Sequence, residues 1–335
     1  MKKGWRRRLW GVFALALVIA LLAAGCHAPV GKGPQGNEGS YTVTDAAGTA
    51  VKVPHKPHRI LTLSMSTDEI VLGLVPPSDM AACNSLLDDP VSSNVTALAA
   101  QIEKKITNPS AEEIAALEPD LVIVPDWGDL SRVDALRDLG IPVVVCEAGR
   151  DLPSIESSIR RIAAAVGEPQ RGDDLIHQMH TKLEEIHAKV EEIPPWERKS
   201  VVLISLMKTY GGKNSSFDAA CQLAGVTNGR AAAGIEDGQA MSKEQLVAID
   251  PDFLFLPTYR NHGKYDVDAF RKEYLGDPAL QTMKAIQNGA LREPFEGYLY
   301  NCSQDFVFGV QEIDYAVYGD AFAQPHDEHL TAVGK

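Results

Sequence analysis

The residues best able to do chemistry in this chain gather in five short stretches, and none of the five is a catalytic motif. They are Met65 in "SMST", Trp127 in "DWGD", Tyr210 in "MKTYGGKN", Tyr259, Arg260 and His262 in "TYRNHGKY", and Tyr298 and Tyr300 in "EGYLYNCSQ". Phe, Trp and Tyr make up only 7% of the sequence, so their gathering here is informative. Flat aromatic walls with a few polar donors suit a large, partly apolar chelate. Arg260 could pair with a carboxylate or hydroxamate oxygen on such a ligand. Tyr210, Tyr259, His262 and Met65 are the side chains here able to ligate iron. No Gly-x-Ser-x-Gly elbow and no credible Ser–His–Asp arrangement occur, so an enzyme is not expected and no catalytic residue is assigned. His177, His180 and His187 have spacing that can hold zinc. They fall on the flank or back of an apolar helical stripe, however, and read as a solvated face. No resident metal or cofactor is expected.

The first four stretches follow strands, and the fifth precedes the last helix. "RILTLS" (59–64), "LVIVP", "VVLISL" and "FLFLP" are apolar runs, and a ligand in an α/β fold sits beyond the carboxyl ends of its strands. Between them lie helical segments: 66–74, with a cap at Ser66 or Thr67; "RVDALRDLG"; 151–167; 215–225. "YTVTDAAGTAVKVP" alternates like a hairpin around Ala47 and Gly48. Strands that are apolar throughout, alternating with helices, predict parallel sheets covered on both faces. Residues 171–193 place Leu175, Met179, Leu183, Ile186, Val190 and Ile193 on one stripe, ended by Pro194 and Pro195. The expected fold class is therefore α/β, two lobes with mostly parallel central sheets flanked by helices, joined by a single long helix. The boundaries are 41–168 for the first lobe, 169–195 for the helix and 196–335 for the second lobe.

One unit is written twice. "SAEEIAALEPDLVIVP" (110–125) recurs as "SKEQLVAIDPDFLFLP" (242–257), with six identical positions. Ser110 with Glu113, and Ser242 with Gln245, fit capping boxes. Glu112 and Glu244 then occupy matching places in a first helical turn, pointing outward and favoured there as anions.

The N-terminus carries Lys2, Lys3, Arg6, Arg7 and Arg8, then an apolar run, then Gly25–Cys26. This reads as a secretory signal over residues 1–25. Cys26 after "AAG" resembles a lipobox, which implies cleavage and acylation at Cys26. Residues 26–40 read as a flexible tether. The net charge of −13, already acidic before a basic leader is removed, argues against nucleic-acid binding. Of the remaining cysteines, Cys146 and Cys221 read as buried free thiols, and no structural disulfide is expected among Cys83, Cys146, Cys221 and Cys302.

The stretches "VTDAAGTAVKVPHKPHRILTLS", "PSAEEIAALEPDLVIV", "LRDLGIPVVV", "FDAACQLAGVTN", "MSKEQLVAIDPDFLFL" and "LQTMKAIQNG", with the helix 171–193, resemble the substrate-binding lipoproteins of bacterial ABC importers for iron-siderophores, haem and vitamin B12. The likeness covers about residues 42–320. It implies a ligand held between two lobes and delivered to a permease dimer powered by a cytoplasmic ATPase. It implies an extracytoplasmic, lipid-anchored monomer. It also carries permease docking onto Glu112 and Glu244. A ferric siderophore is the favoured ligand, with haem or cobalamin as alternatives; a divalent-metal importer component and an α/β hydrolase are remote ones.

Overall fold

The computed structural model describes residues 39–127, 130–260 and 265–334. The hairpin is present: β1 (Tyr41–Thr44) pairs antiparallel with β2 (Ala50–Val53), and Gly48 takes the positive φ that its turn requires. The first half then runs β3 (Ile60–Thr62), α1 (Met65–Leu74), β4 (Met80–Asn84), β5 (Lys105–Ile106), α2 (Ala111–Ala115), β6 (Leu121–Pro125), α3 (Ser131–Asp138), β7 (Val143–Cys146) and α4 (Leu152–Ala165). After α5 (Pro169–Glu191) come β8 (Ser200–Leu203), α6 (Ser216–Leu223), β9 (Thr227–Asn228), α7 (Lys243–Ile249), β10 (Phe253–Phe255), α8 (Val267–Leu275), β11 (Leu291–Arg292) and α9 (Phe306–Tyr318). The first sheet has the order β5-β4-β3-β6-β7 and the second β11-β10-β8-β9, and every pairing in both is parallel. This is the α/β class read from the sequence.

The cap of α1 is a correction. Ser64, not Ser66 or Thr67, is its N-cap and accepts a hydrogen bond from the Thr67 N–H. The strand therefore stops at Thr62 and the helix begins at Met65, one residue earlier than expected.

The duplicated unit folds alike in both places. Both capping boxes form, and in each the serine side chain accepts from the N–H three residues on. Each unit has a left-handed residue at the same place before its Pro-Asp turn, Glu118 at φ 49° and Asp250, the C-cap of α7, at φ 44°. Each Pro-Asp turn then ties its strand to the neighbouring central strand. Asp120 accepts the N–H groups of His58 and Arg59, just ahead of β3, while Asp252 accepts the Ser200 N–H and hydroxyl at the start of β8. The unit is thus a helix stop, a register clamp and a buried strand in sixteen residues.

Each sheet has a private core on one face. Leu61, Val122, Val124 and Val143 pack with Ile114, Val133 and Leu136 under α2 and α3. Val202 and Leu254 pack with Leu246, Leu280 and Met283 near α7. The opposite faces share one continuous cluster, which runs from Ile60 and Ile123 through Leu175, Met179, Ile186 and Val190 of α5 to Phe217, Phe255 and Val310. The apolar stripe of α5 is buried at those four positions, while Leu183 and Ile193 are half-buried. At about 1.5 Å per residue, α5 is about 35 Å long. Its start touches the first half, where a Cβ added at Gly172 would lie 2.5 Å from Ala163 and Arg171 donates to the Leu74 carbonyl. Its end touches the second half, where Lys189 donates to the Ala321 carbonyl. The chain beyond Phe322 returns to the first half: the Ala332 N–H donates to the Gly73 carbonyl, and Gln178 donates to the Thr331 carbonyl.

Cys83, Cys146 and Cys221 are buried, and all four cysteines of the described residues carry free thiols. In α9, Asp314 is wholly buried with neither carboxyl oxygen hydrogen-bonded among the described residues. Burial pushes its pKa up to about 8, against the opposing pull of Arg198. The folded chain therefore holds this proton where the unfolded chain has released it. The associated stability is fully present below about pH 3.8 and is lost progressively as pH rises toward about 8. Asp314→Asn, isosteric and neutral, is expected to flatten the fall in urea midpoint between about pH 5 and about pH 8. Identical slopes in the two proteins would show that Asp314 is not the proton-holding group.

Candidate functional site

A cleft of about 540 Å³ opens where the carboxyl ends of both sheets meet. The first half contributes Leu63, Ser64 and Met65 after β3, Asn84 at the end of β4, and Trp127 after β6. The second half contributes Ser205, Leu206 and Met207 after β8, Pro257 and Tyr259 after β10, and Glu296, Tyr300 and Asn301 ahead of α9. Four of the residues singled out from sequence, Met65, Trp127, Tyr259 and Tyr300, thus share one cavity. Trp127 is 65% exposed, a large apolar ring left open to solvent at the cleft wall.

The others stand elsewhere. Tyr210 lies behind the wall: its ring packs on Tyr300 at 5.1 Å, and its hydroxyl is hydrogen-bonded to that of Ser216 at 2.9 Å. It supports Tyr300, whose own hydroxyl donates to Ser205 at 3.0 Å. Arg260 is exposed and donates to both carboxyl oxygens of Asp268. Tyr298 is fully buried and donates to the Pro325 and Glu328 carbonyls. His262 and Cys26 lie outside the described residues.

Sequence reasoning missed the polar floor. Glu69 of α1 is 2% exposed, and its carboxylate accepts from the Asn301 amide at 2.7 Å, while its backbone carbonyl accepts from Gln304. Burial first, and then the neighbouring Asp305 carboxylate, hold its pKa well above the usual carboxylate range. Next to it, Asp68 accepts from the Thr62 hydroxyl and the Asn84 N–H, and burial pushes its pKa up to about 8. Glu296 accepts the N–H groups of Thr258 and Tyr259, which fixes the loop carrying Tyr259. Burial raises its pKa too. The signal available was the Asp68–Glu69 pair in an otherwise apolar helix, because such a pair, once buried, must be held by partners from elsewhere in the fold. Burial also raises the phenol pKa of both Tyr300 and Tyr259, helped by nearby carboxylates, so both remain protonated donors.

Glu112 and Glu244 are exposed in the first turns of α2 and α7. Their pKa values are lowered, first by their own backbone N–H groups and then by the capping serines, so both are anionic. Both helices run antiparallel to the strands they precede, which puts these turns at the carboxyl end of each sheet, the same end as the cleft. On α5, His180 pairs with Glu156 and His187 with Glu191, and no group of three or more metal-ligating side chains occurs among the described residues.

Two parallel sheets with a ligand-sized cavity across their carboxyl ends define a bilobed α/β binding protein. The chain belongs to the periplasmic binding protein family, whose model matches residues 60–293, a family of binding proteins rather than enzymes. It is 26% identical to the uncharacterized ABC transporter substrate-binding lipoprotein YvrC of Bacillus subtilis, covering 94% of this chain and 98% of that one. It is 24% identical to the Fe(3+)-citrate-binding protein YfmC of the same organism, over 85% and 89% of the two chains. Among solved structures, the haem-binding protein RhuT of Roseiflexus superposes with a TM-score of 0.67 at 23% identity, over 80% of this chain and 100% of its own. The molybdate-binding protein MolA of Haemophilus influenzae superposes with a TM-score of 0.68 at 17% identity, over 83% and 91%. These structural likenesses are likenesses of fold.

Proposed function

We propose that this chain is the extracytoplasmic substrate-binding component of an ABC importer. It captures a metal chelate, with a ferric siderophore as the favoured cargo, and hands it to a membrane permease. The observation that carries this is the cleft of about 540 Å³ walled by Met65, Trp127, Tyr259 and Tyr300. Its volume lies within the range of small-molecule sites. Its aromatic planes meet the apolar surface of a chelate, while the phenol and amide donors address the oxygens around the metal. The relatives' names, a substrate-binding lipoprotein and a ferric-citrate-binding protein, support the same reading. In it, Cys26 carries the lipid, α5 joins the lobes, and Glu112 and Glu244 meet basic groups on the permease. The ATPase is a separate chain, and this protein acts as a monomer.

Trp127 provides the test. Titration of the purified protein with ferric siderophores, haemin and cobalamin is expected to quench its fluorescence with at least one of them. Trp127→Ala or Tyr259→Ala is expected to weaken that binding by about tenfold or more, the scale of a lost aromatic anchor. Unchanged affinity in both variants would remove the cleft from the proposal.

A further inference from the structure

The chain is acidic, with 45 carboxylate residues against 32 basic ones, so a cavity walled by cations stands out. The second half has one, of about 340 Å³, lined by Lys208, Arg230 and Lys243 together with Met241, Phe270 and Tyr274. It lies on the α7 and α8 side of the second sheet, where Met241, Phe270 and Tyr274 pack on that sheet's private core. Among the described residues, Ser205 is the one it shares with the lining of the cleft. Its volume falls at the lower end of small-molecule sites.

Arg230 is the fixed part of this wall. It is 2% exposed, and its guanidinium donates to the Tyr210 and Gln239 carbonyls, which ties the loop after β8 to the loop before α7. Both acceptors are neutral, so the bonds hold the group in place without cancelling its charge. They also leave guanidinium donors to spare, and Nε has no hydrogen-bond partner among the described residues. The carboxylate that favours its charge, Asp237, also accepts from the Gly211 N–H at 3.2 Å. Burial works against the charge, so Arg230 is where a bound anion has most to offset. Lys243 is held by the Asp277 carboxylate at 2.7 Å and lies 5.5 Å from the centre of the Tyr274 ring, while Lys208 is exposed.

We propose that this cavity is an oxyanion site, which takes the phosphate or carboxylate of a small molecule. Arg230 is its anchor, because a planar guanidinium presents donors at the spacing of such a group. Lys208 and Lys243 add charge from mobile stems, with less geometric demand. Phe270 supplies an apolar surface beside them for the body of an organic acid or ester. The occupant is either a free ion or the charged end of an organic molecule, and the chemistry that holds it is the same. The site goes beyond the transport reading and does not rest on it.

The test titrates the whole chain by calorimetry with no chelate present, at constant ionic strength and with chloride as the balancing ion. Inorganic phosphate, phenyl phosphate and benzoate are the probes, and phenol is the control that has the ring without the charge. At least one anionic probe is expected to bind, and phenol is not. Lys208→Gln is expected to weaken that binding by about threefold to tenfold. Arg230→Lys, which keeps the charge and loses the planar fork, is expected to weaken it by about tenfold. Lys208 is exposed, so its variant reports on the site even if Arg230→Lys fails to fold. Tighter binding of phenyl phosphate or benzoate than of inorganic phosphate identifies an organic anion as the occupant; otherwise the occupant is a free ion. No anion binding above the chloride baseline, or binding that neither substitution changes, would overturn the site. Either failure leaves the transport reading standing, because chelate titration of the cleft tests that separately.

Discussion

Glu112→Arg combined with Glu244→Arg is expected to abolish chelate uptake in cells while leaving chelate affinity in solution within about twofold. The reason is placement. Both residues sit in the first turn of a capped helix, exposed and ionised, at the strand end that also bears the cleft. Neither lines the cavity, so ligand contacts are untouched. In the proposed docking, reversing both signs would turn two attractions toward a basic partner surface into two repulsions, which acts on encounter and on partner choice. Each single variant should give a partial defect, because the other half still docks. Glu103→Arg, which reverses an equally exposed acid away from the duplicated unit, is the control and should transport normally. The measurement is uptake of labelled chelate beside dialysis with the purified variants. Normal uptake by the double variant would remove the docking role from both residues.

Asp305→Ala should be among the most damaging single substitutions to stability, at about 3–5 kcal/mol, because several buried donors lose their acceptor at about 1–3 kcal/mol each. Asp305 is wholly buried at the entry to α9. It accepts from the Asn94 amide at 2.7 Å, the His329 ring at 2.6 Å and the Leu330 N–H at 2.9 Å. Three donors from two distant parts of the chain would lose their acceptor together, and each unmet buried donor carries its own desolvation penalty. Asp305→Asn keeps the shape and one acceptor oxygen and should cost less. Urea denaturation of the two variants is the check, and an alanine variant within about 1 kcal/mol of wild type would contradict the account.

The legible parts of the fold are those encoded locally. The duplicated unit could be read because serine, acid or amide, Pro-Asp and an apolar run each act within a few residues. The cleft walls at Met65, Trp127, Tyr259 and Tyr300 could be read because strand ends face ligands in parallel sheets. The short strands β4, β5, β9 and β11 could not, since "MAACN" or a pair such as Thr227–Asn228 is too short and too mixed to show a period. Nor could the left-handed Glu118 and Asp250, where the helix stop overrides residue preference. The largest omission was Glu69 with Asn301. These two are 232 positions apart, and only the crossing of the chain between halves brings them together. Tyr210 shows the converse limit: its stretch was placed beside the cleft, but which of two stacked rings faces the cavity is decided by packing.

The return of the last residues to the first half bears on how the molecule assembles. Thr331 meets Gly73 across 258 positions, and Asn94, Tyr298 and Asp305 all depend on residues 325–330 for partners. The surface around α1 is completed only by residues 330–332, which bond to Gly73 and Gln304. Closing so long a loop is slow, because its entropy must be spent before the contact returns anything. Residues 328–332 thus act on the half that lies farthest from them in sequence.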